Sequence, residues 1–120
     1  SYPGKGSTTP EKLFALAAGF SDVRIIFAHW GGGLPFYSLM PEIADKTRNV
    51  WFDSAASPYL YNRNVFAAVS VLSGVDHILF GSDFPLVKQS KVLEEVKSSG
   101  LPESQQAAVL GGNATRILGL

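Results

Sequence analysis

The 120-residue chain has no cysteine, a single methionine, two histidines and no net charge, its ten Lys and Arg balancing ten Asp and Glu. Without cysteine there are neither disulfides nor thiolate metal sites, and the expected location is cytoplasmic. A net charge of zero leaves no overall field to recruit nucleic acid or an anionic membrane surface. No apolar run approaches the ~20 residues needed to cross a bilayer. The opening SYPGKGSTTP is small, polar and rich in Gly and Pro, unlike the charged-then-apolar start of a secretion signal, and reads as a loop. Nucleic acid and membranes therefore drop out as expected partners.

What is present alternates. Three short apolar runs, VRIIFAH at 23–29, NVWFDSA at 49–55 and HILFGSD at 77–83, recur at roughly the spacing of a βα unit. Their unbroken hydrophobicity predicts parallel strands buried on both faces, near 24–29, 50–54 and 78–82 and adjacent in that order. Between them lie helix patterns. In TPEKLFALAAGF, Thr9 can cap, Pro10 suits the first helical position, and Leu13, Phe14, Leu16, Ala17 and Phe20 form one apolar face. Residues 60–73 put Tyr61, Val65, Val69 and Leu72 on a stripe that Gly74 ends. SKVLEEVKSSG and PESQQAAVLGG predict two more helices, each closed by glycine, and Asn113 is expected to cap a last one in NATRILGL. The pattern is α/β, with right-handed crossovers, and belongs to an open doubly wound sheet or to part of a (β/α)₈ barrel.

In both architectures function collects at the carboxyl ends of the strands. His29, Asp53 and Asp83 stand there. By strand alternation His29 shares a face with Ile25 and Phe27, and Asp83 with Leu79 and Gly81. If that face is a barrel interior, imidazole and carboxylate converge above the core, where they suit general acid/base chemistry or metal ligation. Quieter readings stand beside this: His29 as a hydrogen-bonded strand-end residue, Asp83 and Asp53 as turn residues bonding their own backbone. His77 falls at the opposite end of its strand and reads as a surface residue. The run Gly31, Gly32, Gly33 could cradle an anion, although neither GxGxxG nor GxxxxGK[ST] is present.

In order and spacing, AHWGGGLPF, FDSAASPYLY, ILFGSDFPL and the ending GGNATRILGL resemble the final third of the amidohydrolase-related metal-dependent hydrolases. This is the branch that includes the aminocarboxymuconate-semialdehyde decarboxylase-like proteins. The resemblance implies the C-terminal portion of a TIM (β/α)₈ barrel, with residues 1–120 as one partial domain holding strands six to eight and their helices. It implies a divalent metal, usually zinc, and hydrolysis or decarboxylation of a small carboxylated or cyclic substrate, with hydrolysis by a metal-activated water the leading expectation. On that resemblance His29 orients or deprotonates the water, and Asp83 is both metal ligand and proton acceptor. Asp53, Trp30 and Tyr61 are the expected substrate contacts.

The family's H-x-H pair and a further histidine from its fifth strand have no counterpart here, and a catalytic zinc needs about three protein ligands. The chain is therefore expected to be a C-terminal part, inactive by itself or serving only as a structural module. Uncovered strand edges and apolar surface predict either self-association or pairing with the missing part of the barrel.

Overall fold

A computed structural model describes residues 6–120. Helix α1, Pro10–Gly19, starts as its sequence dictates: Thr9 Oγ1 accepts from the Lys12 N–H at 3.3 Å, and Pro10 opens the first turn. Its apolar face is narrower than expected. Ala17 is buried and Leu13 and Phe14 pack on the core, but Leu16 and Phe20 are exposed. The loop expected at the amino terminus lies partly outside the described residues, which begin at Gly6.

Strands β1, Ile25–Phe27, β2, Val50–Asp53, and β3, Ile78–Leu79, form one parallel sheet in the order β1-β2-β3. Ile25 pairs with Val50 and Phe27 with Phe52, while Phe52 pairs with Ile78. Residues 25, 27, 50, 52 and 78 face a helix-covered core that also holds Trp30, Phe66, Val69, Val92, Val96 and Val109. The opposite face is not covered in the same way, and Ile26 on it is 46% exposed. The expectation of strands buried on both faces thus holds at β3, where Ile78 and Leu79 are both buried, and fails at β1.

Helix α2, Pro41–Lys46, precedes β2, and α3, Ser57–Leu60, follows it. Helix α4, Val65–Ser73, buries Val65, Phe66 and Val69 and stops at Gly74, whose φ of +93° suits glycine. Tyr61 is not on the α4 stripe. It sits in extended backbone between α3 and α4. Helix α5, Gln89–Lys97, buries Val92 and Val96.

The carboxyl-terminal region departs from its glycine signals. Helix α6, Glu103–Ala107, runs through a widened π turn, Ala108–Gly112, directly into α7, Asn113–Leu118. Gly112 keeps right-handed dihedrals of −60° and −42°, so nothing terminates there. Asn113 is helical and fully buried rather than a cap, because its amide has a stronger claim elsewhere. The Nδ2 group donates to the carbonyls of Val75 and Ile78, both at 2.8 Å, and its Oδ1 accepts from Arg116 at 3.0 Å. Asn113→Ala strands the Ile78 carbonyl and takes one of two donors from Val75 O, which keeps the Ile78 N–H, and is expected to cost about 1–3 kcal/mol, read as a lowered denaturant midpoint.

Candidate functional site

The carboxyl ends of the strands carry the backbone irregularities. Among the described residues, the non-glycine positions with positive φ are His29 (+56°), Trp30 (+57°), Ala56 (+58°) and Asp83 (+69°), and all follow strand ends. Gly31, Gly32 and Gly33 continue the sequence at +58°, +63° and +99°, so residues 29–33 wind a left-handed turn closed by Gly31 N–H to Ala28 O at 3.0 Å. Each non-glycine residue in that region costs roughly 1–2 kcal/mol, which surrounding contacts must offset. Glycine at 31 is required twice over, since a Cβ there would also lie 2.8 Å from Phe52 Cε1.

Those offsetting contacts come from β2. Asp53 Oδ1 accepts from the His29 N–H and the Ala55 N–H, each at 3.0 Å, and the Ala55 carbonyl lies 3.1 Å from His29 Nδ1. Hydrogen bonds to a charged acceptor are worth about 1.5–3 kcal/mol, enough to cover the local strain at His29. Ser54 then ties β2 to the segment after β3: its Oγ donates to Gly81 O at 2.8 Å and accepts from Gly81 N at 3.0 Å. A Cβ at Gly81 would meet Asp53 Cγ at 3.4 Å, so the segment after β3 packs closely on the end of β2. Asp83 is exposed, and its carbonyl accepts from Leu86 N at 2.9 Å, closing a turn.

His29 and Asp83 meet in one open cleft of about 510 Å³, whose other walls are Ala56, Tyr59, Leu60 and Leu86. Alternation alone does not bring them there. His29 has the parity of Phe27, whose side chain is in the helix-covered core, and it is the change of sign of φ that re-aims its ring. Asp83 lies beyond the end of β3, in a turn at φ +69°.

Two expected substrate contacts are corrected. Trp30 is fully buried: its Nε1–H donates to Ser57 Oγ and its ring meets Phe66 edge-on at 5.1 Å, so it serves the core and not the cleft. Tyr61 points away from the cleft and tilts against Phe36 at 5.7 Å, because the chain turns extended after α3. Burial pushes its hydroxyl above the usual tyrosine value. Tyr59 and Leu60, on α3, take the place expected of Tyr61, and Leu86 joins them unannounced by any sequence signal. Asp53 stands at the strand end as expected, but Oδ1 is engaged by backbone N–H groups. His77 lies at the opposite end of β2, partly buried, with Nδ1 2.7 Å from Val50 O and its ring stacked on Trp51 at 5.0 Å.

A second cleft, about 390 Å³, lies beside α5 and includes Tyr61, Arg63, Lys91 and Glu95. Glu95 Oε1 is buried and has no partner among the described residues. Burial pushes this carboxyl up, against the opposing pull of Lys91 and Arg63. A carboxyl raised in the folded state favours folding while protonated, and that contribution is lost as pH rises through the folded value. Glu95→Gln is therefore expected to raise the melting temperature at about pH 7 and to change little below about pH 4, measured by thermal melts across pH.

The family model described as Amidohydrolase matches residues 6–120. The chain belongs to this family. It is 30% identical to the 6-methylsalicylic acid decarboxylase of Aspergillus aculeatus, over 78% of this chain and 35% of that protein. The dihydroxybenzoic acid decarboxylase of a Polaromonas species, solved with manganese and 2-nitroresorcinol, superposes with a TM-score of 0.76 at 18% identity, covering 96% of this chain and 42% of that one. An amidohydrolase from Burkholderia multivorans with bound zinc gives 0.67 at 17% identity, covering 92% and 49%. The chain thus spans about a third of the length of the curated relative it matches. Three parallel strands with their helices, within proteins of this family, are a portion of the (β/α)₈ barrel expected from sequence. No helix among the described residues is long and apolar enough to cross a membrane.

Family membership calls for a test of the donor set. Asp83 offers an exposed carboxylate and His29 a ring in the same cleft. Among the described residues no group of three or more His, Cys, Asp or Glu could hold a metal ion. The described residues thus fall short of a metal site by themselves.

Proposed function

We propose that this chain contributes one side of the active-site mouth of a decarboxylase acting on a small hydroxylated aromatic acid. The observation that carries the reading is the cleft: His29 and Asp83 line it together with the Tyr59 phenol, set against Ala56, Leu60 and Leu86, in a volume within the range of small-molecule sites. The decarboxylase names of the relatives support this chemistry over the hydrolysis expected from sequence. His29 takes up a proton at Nε2 and, from that cationic form, delivers it to the ring carbon bearing the carboxylate, returning to the neutral ring. The carbon–carbon bond then breaks, its electron pair restores the ring, and CO₂ leaves. Tyr59, Leu60 and Leu86 exclude water from the ring's flanks and orient it.

Asp83 is proposed as one ligand of a divalent metal whose other ligands lie outside these residues, and whose charge would neutralise substrate oxygens. Zinc is one candidate and manganese another. The exposed apolar side chains and the free edges of β1 and β3 are proposed to be covered by the rest of the barrel or by a second copy. Light scattering that shows a monodisperse monomer at roughly tens of micromolar would count against self-association.

The functional test uses a chain extended to the length of the relatives and follows CO₂ release from hydroxybenzoates. Release of CO₂ with the ring otherwise unchanged is the expected result. Turnover of an ester or lactone without CO₂ would overturn it in favour of hydrolysis.

A further inference from the structure

We propose that Asp53 is a positioning residue that locks His29 into a single tautomer, with the proton on Nδ1 and the lone pair on Nε2. The proposal gives His29 a defined chemical state and rests on its proton-handling role only for the use made of that state. Three hydrogen bonds close a loop between β1 and β2. The His29 N–H and the Ala55 N–H both donate to Asp53 Oδ1, and the Ala55 carbonyl faces His29 Nδ1 at 3.1 Å. A carbonyl only accepts, so Nδ1 must be the protonated nitrogen of the neutral ring, and Nε2 must be the acceptor.

The carboxylate controls both ends of that contact. Through one N–H it holds His29 at φ +56°, and through the other it holds the Ala55 peptide whose carbonyl faces the ring. Ala55 is 7% exposed, and Ser54 beside it is pinned to Gly81, so the peptide has little freedom once Asp53 is in place.

The chain carries its own control. His77 at the other end of β2 has Nδ1 against the Val50 carbonyl at 2.7 Å and makes no contact with Asp53. In the ¹⁵N-labelled full chain, ring-nitrogen correlations at a pH where both imidazoles are neutral are expected to show protonated Nδ1 and proton-free Nε2 for both histidines, with His29→Asn assigning the signals. In Asp53→Ala, His29 is expected to lose its single tautomer and relax to a mixture, while His77 stays unchanged. Asp53→Asn keeps an oxygen acceptor in place and is expected to restore the His29 pattern. A His29 pattern unmoved in Asp53→Ala, with His77 intact, overturns the proposal. If Asp53→Ala perturbs His77 as well, the unsubstituted chain decides: protonated Nδ1 on His29 supports the lock, and protonated Nε2 refutes it. The measurement involves no turnover, so a failed decarboxylation assay leaves its outcome independent.

Discussion

His29→Asn, placed in a chain that includes the remaining barrel strands, is expected to lower turnover by roughly 10²–10⁴-fold while metal content stays unchanged. The substitution is chosen for what it preserves. Asparagine tolerates a positive φ better than most residues, so the left-handed turn at +56° survives, and its amide can still donate toward the Ala55 carbonyl. What disappears is a group able to take up and release a proton near neutrality. Steady-state kinetics and elemental analysis on the same preparation check both halves. Undiminished turnover would remove His29 from the chemistry and leave it a strand-end residue held by hydrogen bonds.

Asp83→Asn should fail in a different way, losing metal and turnover together. The backbone turn is retained, because the carbonyl of residue 83 still accepts from Leu86 and asparagine accommodates φ of +69°. The charge is not retained. Removing a residue that merely orients a metal ligand costs about 10–100-fold in affinity, so removing a ligand is expected to exceed roughly 100-fold. Metal titration of the extended chain reads this directly. Normal metal affinity in Asp83→Asn would return that aspartate to the role of a turn residue.

The strands and their parallel pairing were legible because parallel strands under helices read as apolar runs, although β1 and β3 stop sooner than expected, at Phe27 and Leu79. Their order followed from the βα spacing. The cleft was legible only in part. His29 and Asp83 were located by the rule of strand ends, yet the alternation argument that put His29 on an interior face fails. A reversal of φ at a histidine and a tryptophan leaves no trace in a hydrophobic pattern. Trp30 was misplaced for the same reason, since the left-handed turn swings it onto Phe66 and under Ser57. At the other end of the molecule, Gly111 and Gly112 gave a stop signal that the buried amide of Asn113 overrides through tertiary hydrogen bonds. Local signals lose where a distant carbonyl needs a partner.

The handedness of residues 29–33 bears on how this mouth can evolve. A turn wound as the mirror image of an ordinary helix has almost no vocabulary of L-residues open to it. At Gly31 a side chain meets Phe52, and at Gly33 it meets the Tyr61 hydroxyl at 3.2 Å. Gly32 has space, with Pro10 no nearer than 3.7 Å, but its φ of +63° still penalises most replacements. Drift in this loop is thus nearly frozen, and the residue it contributes to the cleft is His29. Divergence in what the cleft admits must be written on the other two walls, at Tyr59, Leu60 and Leu86, where the side chains are exposed and exchange carries little penalty for the fold.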